Sequence, residues 1–413
     1  MNTKRKLAAL PAGILAALFA SAAGQVQAAE TFTEVFTQGK AGIAFRYRLE
    51  HVDQDDFDKD ALASTIRARL NFKTSDWKGF GVFAEYDFVT TIGADNFNAG
   101  GGNTPGKTQY PVVADPSGPD LNQAYLSWKP GESNDFRAGR QRIIYDNARF
   151  VGNVGWRQNE QTYDAVSYRF KNKGGIDLQF SYIGNANRIF GDEVNAGDQS
   201  QDTWTANVAK SWKDIGKLTG YYYDIDNQDA ADFSTTTYGV RFNGKRDVGS
   251  VTLGYTAEYA HQTDTANNPV DYSADYWRFD FSATFGSVTP YIAYESLGGD
   301  DTRGGAMFRT PLATLHAFNG WADKFLTTPA AGLNDAMIGV KGKVFGSWKW
   351  NVVYHDFDAE SGSADYGKEI DASLATKFAD HYGVLFKAAF FDGKKSSGPP
   401  DTVKLWLQLV ANF

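Results

Sequence analysis

Residues 402–413 read Thr-Val-Lys-Leu-Trp-Leu-Gln-Leu-Val-Ala-Asn-Phe, and this stretch indicates the fold class. One face would carry Val403, Leu405, Leu407, Leu409, Ala411 and Phe413, and the other Lys404, Trp406, Gln408, Val410 and Asn412. A period of two predicts a β-strand with one apolar face and one mostly polar face. A soluble sheet could also bury such a face. A final amphipathic strand that ends on an aromatic residue is, however, typical of a membrane barrel, where the last strand pairs with the first and leaves no open edge.

The same alternation recurs through the rest of the chain. Residues 43–50, 66–73 and 80–88 alternate in this way. Further strands are predicted near 121–129, 134–142, 162–171, 175–184, 202–212, 217–226, 234–244, 249–262, 273–286, 287–297, 335–346, 347–357, 367–378, 381–392 and 402–413. Short turns alternate with long connections, the pattern of an outer-membrane barrel. We therefore predict an all-β fold: a transmembrane, antiparallel, up-and-down β-barrel of about eighteen strands, with short periplasmic turns and long extracellular loops.

The amino terminus has the pattern of a secretory signal peptide. Three basic residues, Lys4, Arg5 and Lys6, precede an apolar run, and Val26-Gln27-Ala28 supplies the small residues of a cleavage site. A membrane anchor is the alternative, but the run contains Pro11 and ends in a cleavage pattern. We predict that residues 1–28 are a signal peptide and that residues 29–413 form one barrel domain in the outer membrane of a Gram-negative bacterium.

The composition excludes several other classes of function. The chain has no cysteine, which rules out disulfides and thiol chemistry. Its five histidines lack the spacing of a metal site, and no nucleotide-binding loop or nucleophile motif is present. His355-Asp356 is the nearest approach to a catalytic pair, without an evident nucleophile. We expect no enzymatic activity, no cofactor, no metal and no nucleic-acid partner.

The polar face of the strands predicts a charged lumen. A charge facing lipid at mid-bilayer costs about 2–4 kcal/mol, so charged residues on strands should face inward. The basic residues on that face include Arg46, Arg48, Arg67, Arg69, Lys73, Arg137, Arg169, Arg241, Arg278, Lys341, Lys343, Lys349, Lys377, Lys387 and Lys404. The acidic ones include Glu50, Glu85, Asp87, Asp177, Glu258, Asp280, Glu295 and Asp371. Such a lumen would attract anions. Alternatively, the arginines pair with the acids and only brace the wall.

Within this lumen we predict an electropositive constriction. Its expected members are Arg46, Arg48, Arg67, Arg69, Arg137, Arg140, Arg149 and Arg157. Arg140 would have to turn inward against strict alternation, which a bend at Gly139 would allow. The constriction should face a smaller acidic group, Glu85 and Asp87, on the third strand.

Two long segments carry a family resemblance. The first contains Gly139-Arg140-Gln141, Asp146-Asn147-Ala148-Arg149-Phe150-Val151-Gly152, Trp156-Arg157-Gln158 and Tyr163-Asp164. The second contains Thr310-Pro311-Leu312, residues 316–325, Thr328-Pro329 and residues 332–335. Together they resemble the alginate export family of outer-membrane porins. The resemblance implies a barrel of about eighteen strands and an arginine-lined path for an anionic polysaccharide.

The same segments, 143–161 and 298–334, are too rich in aromatic residues to extend into water. We expect both to fold into the barrel, where Trp156, Asn319 and Trp321 either contact a sugar-like solute or simply plug the bore. The functions left open are a channel for small hydrophilic, anionic or sugar-type solutes, a dedicated exporter of an anionic polysaccharide such as alginate, and a barrel with a closed lumen. We expect outer-membrane lipids and lipopolysaccharide as surroundings, and a monomer.

Overall fold

The computed structural model describes residues 31–413, which form one closed sheet of 18 antiparallel strands. The strands are β1 (Lys40–Gln54), β2 (Ala61–Lys73), β3 (Phe80–Asn96), β4 (Gly118–Trp128), β5 (Asn134–Gln141), β6 (Thr162–Lys171), β7 (Ile176–Asn187), β8 (Asp198–Trp212), β9 (Gly216–Ile225), β10 (Thr235–Val248), β11 (Val251–Asp264), β12 (Ser273–Phe285), β13 (Val288–Leu297), β14 (Leu333–Val344), β15 (Trp348–Asp358), β16 (Asp365–Phe378), β17 (Tyr382–Gly393) and β18 (Thr402–Asn412). Each strand pairs with its neighbours in sequence, which confirms the predicted up-and-down barrel. The predicted signal peptide, residues 1–28, lies outside the described residues.

The ring closes between the first and last strands, as the terminal stretch predicted. β1 and β18 pair in antiparallel register, with Tyr47 opposite Leu409 and Arg48 opposite Gln408. Leu405 and Leu409 are exposed on the outer face, whereas Trp406 is buried inside the barrel. Closure satisfies the backbone hydrogen bonds of both terminal strands, so neither presents an open edge.

The two ends of the barrel differ in the length of their connections. Turns such as residues 286–287 and 345–347 are short, and positive φ angles at Gly286 and Gly346 allow these tight reversals. Long connections, among them residues 97–117, 142–161 and 298–332, lie at the opposite end. We call residues 142–161 loop A and residues 298–332 loop B.

Few helical segments accompany the sheet in the described chain. A short helix, α1 (Phe32–Thr37), is capped by Thr31 and lies at the short-turn end, where the Ser75 amide donates to the Val35 carbonyl at 3.0 Å. Short 3₁₀ turns occur at Asn195–Gly197, Ala231–Phe233 and Leu315–Ala317. No helix within residues 31–413 has the length and apolar character needed to cross a membrane.

The largest buried apolar cluster lies inside the barrel. It joins inward-facing strand residues to residues of loops A and B, including Phe150, Phe308, Leu312 and Phe325. The outer wall, by contrast, exposes large apolar side chains such as Ile338. An apolar exterior around a filled interior is the arrangement expected when lipid, rather than water, surrounds the barrel.

Candidate functional site: the loops inside the barrel

Loops A and B meet inside the barrel and bind each other through their backbones. Val151 and Leu312 form a parallel bridge. The Gly152 amide donates to the Leu312 carbonyl at 2.9 Å, and the Thr314 amide donates to the Ala148 carbonyl at the same distance. The expectation that both segments fold inward is therefore confirmed, and any passage through the lumen must run past this pair of loops.

Two arginines of β1 hold loop A by its carbonyl groups. Arg46 Nη1 donates to the carbonyls of Gly155, Trp156 and Arg157 at 3.2, 3.2 and 2.9 Å. Arg48 is fully buried, donates to the Trp156 carbonyl at 2.5 Å and places its guanidinium 4.1 Å from the centre of the Trp156 ring. A guanidinium presents several donors in a fixed plane, which suits this binding to successive carbonyls.

The arginines of β2 divide between loop A and the wall. Arg67 Nη1 donates to the Gln158 carbonyl at 2.8 Å. Arg69 donates to both oxygens of Asp87 at 2.7 and 2.6 Å, and also to Glu160 of loop A at 2.7 Å. Arg46 and Arg67 thus contact carbonyl oxygens and make no ion pair within residues 31–413, whereas Arg69 is fully paired.

The predicted acidic group does not stand opposite the arginines. Asp87 pairs with Arg69, its neighbour across the β2–β3 ladder, and Glu85 accepts from Arg142 Nη2 at 3.0 Å. The prediction of two facing groups is wrong because strands β2 and β3 are adjacent, so their inward charges meet side by side. Glu160 lies between Arg69 and Arg142, within 2.7 and 2.5 Å. Burial alone would raise the pKa of Glu160, but these two cations outweigh burial and lower that pKa to about 2.

Loop B is held mainly by carboxylates on the wall. Asn319 Nδ2 donates to Glu295 at 2.7 Å. The Trp321 amide donates to Asp371 at 3.1 Å, and the Ala322 amide donates to Glu369 at 2.8 Å. Loop A therefore binds a basic wall through its carbonyls, and loop B binds an acidic wall through its amide groups.

Arg149 and Arg157 of loop A are also paired. Arg149 Nε donates to Glu295 at 2.8 Å. Arg157 bridges Glu50 of β1, at 3.0 Å, and Asp323 of loop B, at 3.2 Å. A buried ion pair broken on one side is strongly destabilising, so these contacts fix the position of the loops.

Lys387 of β17 lies in a cage of tryptophan rings contributed by both loops and the wall. Its Nζ atom is 3.7 Å from the ring centre of Trp321, 4.3 Å from that of Trp156 and 5.4 Å from that of Trp406. An ammonium over aromatic faces is attracted by the ring quadrupole, more strongly when water is excluded. One lysine therefore contacts loop A, loop B and the last strand together.

His316 of loop B completes this cage. Its ring stacks on Trp156 at 4.6 Å, its Nδ1 lies 2.6 Å from Asp323 Oδ1 and its Nε2 lies 2.7 Å from Lys387 Nζ. Burial lowers the pKa of His316 well below its ordinary value despite the nearby carboxylate. The neutral ring then donates from Nδ1 to Asp323 and accepts at Nε2 from Lys387.

The two predicted arginines of β5 face opposite sides of the wall. Arg137 points inward, pairs with Asp135 at 2.7 Å and lies 5.1 Å from the Tyr125 ring centre. Arg140 keeps strict alternation, faces outward with its neighbour Ala124, and donates to Asp164 at 2.8 Å.

The inward turn predicted for Arg140 is therefore wrong. Gly139 has φ +122°, and a Cβ there would lie 2.4 Å from the Ala124 carbonyl oxygen. The glycine permits a close approach of β4 and β5, and the side chains keep their alternation.

Below the loops, towards the short turns, four lumen lysines of β14–β16 have no carboxylate partner, although Lys341 Nζ lies 5.1 Å from the centre of the Tyr291 ring. Lys341, Lys343, Lys349 and Lys377 are exposed and make no ion pair with any carboxylate in residues 31–413. Arginines at the same end do pair, for example Arg169 with Asp177 at 2.5 Å. The lumen thus has a loop half, in which Arg48, Arg69, Arg149 and Arg157 are ion-paired, and a turn half, in which these lysines are free.

Several contacts that organise the loops were not predicted from the sequence. Asp115, in the connection 97–117, accepts from the Gln158 amide at 2.7 Å and pairs with Arg48 at 3.4 Å. Glu160 and Asp323 have the roles described above. All three lie outside strands, where no periodic pattern indicates the direction of a side chain. No group of three histidine or acidic side chains in the described chain is arranged to hold a metal.

The architecture defines an outer-membrane porin: a closed barrel with an apolar exterior and loops folded into its lumen. The family model for alginate export matches residues 37–293, more than half of the 413 residues. The chain belongs to the alginate export family of outer-membrane β-barrel porins.

Solved structures share the same fold. Pseudomonas aeruginosa OccK1 (OpdK) has 13% identity and a TM-score of 0.70 over 91% of this chain and 98% of that chain. Acinetobacter baumannii OccAB4 has 11% identity and a TM-score of 0.71 over the same shares of each chain. P. aeruginosa OpdK with vanillate has 14% identity and a TM-score of 0.69, again over 91% and 98%. The search of curated proteins found no match. At such identities the likeness establishes the fold alone.

Proposed function

We propose that this chain is an outer-membrane channel for small hydrophilic solutes, mainly anionic or sugar-type. The observation that carries the proposal is the turn half, where Lys341, Lys343, Lys349 and Lys377 line the lumen without carboxylate partners. Free cations in a confined aqueous space raise the local concentration of anions and repel cations. The function requires no enzymatic step, cofactor or metal.

The size of the solute is set by loops A and B. An eighteen-stranded barrel without inward loops is wide enough for a water-filled channel. The two loops, joined by the Val151–Leu312 bridge, narrow that bore to a small passage. Trp156 and Trp321, which are half-buried, are proposed to border it with Arg46, whereas Asn319 and Arg67 are buried among the loops. Arg137 is proposed to line the wall below the loops.

A salt gradient across a planar bilayer tests this function. Purified full-length protein should form channels with small single-channel conductance, and the reversal potential should show preference for chloride over potassium. A cation-selective reversal potential would overturn the anion preference. A complete lack of conductance in correctly folded protein would favour the closed barrel instead.

The second candidate is export of an anionic polysaccharide, which the family's description favours. A polymer could pass only if loops A and B separate, because their backbone bridge and the Lys387 cage lie inside the bore. Covalent tethering of the loops by Ala148→Cys and Thr314→Cys would then abolish polymer passage and leave small-ion conductance largely intact. Persistence of polymer passage through the tethered channel would exclude loop separation as its route.

The surroundings proposed for the barrel are lipid and lipopolysaccharide around its apolar outer face, with the chain acting as a monomer. Light scattering of the detergent-solubilised protein checks the second point. A mass corresponding to one chain is expected after subtraction of detergent, and a stable trimer would contradict it.

A further inference from the structure

Two lysines in the turn half oppose each other directly across neighbouring strands. Lys343 of β14 is paired in register with Lys349 of β15, and both side chains are exposed on the lumen face. Like charges directly opposite each other destabilise a sheet. Lys341 lies two positions from Lys343 and therefore projects from the same face. Three ammonium groups consequently converge on one region of the wall.

Other basic side chains on the lumen face have carboxylate partners. Lys217 of β9 is 2.7 Å from Asp146, and Arg278 of β12 is 2.9 Å from Asp280. No such carboxylate lies within 4 Å of Lys341, Lys343 or Lys349 in the part of the chain that the structure describes. The lysine group (Lys341, Lys343 and Lys349) thus has no carboxylate partner, in contrast to these two lumen cations.

The lysine group borders a cavity whose remaining polar lining consists of hydroxyl and amide groups. The cavity has a volume of about 610 Å³ and includes Thr284, Thr289, Asn351 and Ser373. The hydroxyls of Thr284 and Thr289 lie 2.9 Å apart. Hydroxyl and amide donors next to ammonium groups are suited to an oxyanion, whose several oxygens each accept hydrogen bonds.

We propose that the lysine group forms a binding site for oxyanions that carry more than one negative charge, such as phosphate esters, pyrophosphate or polycarboxylates. A single charge would leave part of the repulsion between Lys343 and Lys349 uncompensated, whereas a multivalent oxyanion bridges both. The site lies at the short-turn end of the lumen, on the periplasmic side of the loops. It deepens the proposed channel function by identifying where anions concentrate before or after they pass the loops.

Calorimetric titration of the folded, detergent-solubilised protein with pyrophosphate at low ionic strength tests the site. The wild type should bind, and Lys343→Gln with Lys349→Gln should weaken binding by about tenfold. Raising the salt concentration should weaken wild-type binding as well, because exposed charges are screened. If the site recognises oxyanion charge rather than phosphate itself, citrate should also bind the wild type more tightly than the double variant.

A second cross-strand lysine pair supplies the matched control. Lys40 and Lys73 are also opposite each other, at the same end of the barrel, on β1 and β2. Lys40→Gln with Lys73→Gln removes the same charge but leaves the cavity intact, so pyrophosphate binding should stay near the wild-type value. Equal weakening by both double variants, or no binding by the wild type, overturns the proposed site.

The binding titration does not require conduction, so its result can be told apart from the result of the conduction experiment. Pyrophosphate binding by a barrel that conducts cations, or does not conduct, would overturn the proposed anion channel and support the site. Anion conduction without pyrophosphate binding would overturn the proposed binding site and support the proposed anion channel.

Discussion

Both the loop half and the turn half of the lumen carry basic residues, but the two halves differ in whether those residues have acidic partners. Arg69 in the loop half makes charge-assisted contacts with Asp87 and Glu160. Lys343 in the turn half faces another lysine and no acid. A basic side chain that is already paired holds structure, and an unpaired one remains available to a solute. Whether a basic side chain has an acidic partner therefore indicates its function better than the presence of the basic side chain alone.

Removing loop A should give the largest effect. Replacement of residues 147–158 by a short Gly-Ser linker would delete the contacts of Arg157 and would remove Val151, which forms the bridge to Leu312 of loop B. Single-channel conductance should rise severalfold, because the strands retain their own hydrogen-bond ladders and the bore widens. Shortening the connection 394–401 is the control and should leave conductance near wild type. Unchanged conductance after loss of loop A would show that the loop does not limit the passage.

The next largest effect is expected from Arg69→Glu. This change places a fourth carboxylate beside Glu85, Asp87 and Glu160 and breaks a buried ion pair, at a cost of about 3–5 kcal/mol. Loop A should detach from β2, so that conductance and current noise both increase. Arg69→Lys keeps the charge but loses the two-pronged contact, and should have an intermediate effect. Wild-type currents from Arg69→Glu would contradict the role assigned to this pair.

A smaller effect on the loops is expected from Lys387→Met. This substitution roughly keeps the length of the side chain but removes the ammonium group from the tryptophan cage. The loss of cation–π attraction should cost about 1–2 kcal/mol and affect both loops. Amide hydrogen exchange in loops A and B should become about tenfold faster, with the strands unaffected. Lys377→Met, on the neighbouring strand β16, provides the control. Acceleration in one loop alone would mean that Lys387 does not join them.

The smallest effect is expected at Arg140. Because its side chain faces outward and pairs with Asp164, Arg140→Ala should leave ion selectivity unchanged and cost at most about 1 kcal/mol of stability. Arg137→Ala, two strand positions away from Gly139 on the lumen face, should shift the reversal potential measurably. A larger shift from Arg140→Ala than from Arg137→Ala would restore Arg140 to the lumen.

The sequence predicts the barrel well because alternation is a local property. The fifth strand was predicted at 134–142 and spans Asn134–Gln141. Alternation also assigns most side chains to a face, and the error at Arg140 came from departing from it. Glycine-rich, aromatic-rich composition correctly predicted that both loops turn inward.

The pairing of charges could not be predicted in the same way. Arg48 meets Asp115 across 67 positions of sequence, and Arg157 meets Glu50 across 107. Such contacts depend on how the loops cross inside the barrel, which no local pattern records. Only those pairs decide which cations remain free, so the sequence predicted which face most charged side chains occupy but not how their charges pair.

The most direct test of the account is the reversal potential of Lys341→Gln, Lys343→Gln and Lys349→Gln combined, compared with the wild type in the same salt gradient. The account predicts an anion-selective wild type and a marked loss of that selectivity in the triple variant, with single-channel conductance still present. An unchanged reversal potential in the conducting triple variant would contradict the claim that the free lysines of the turn half attract anions.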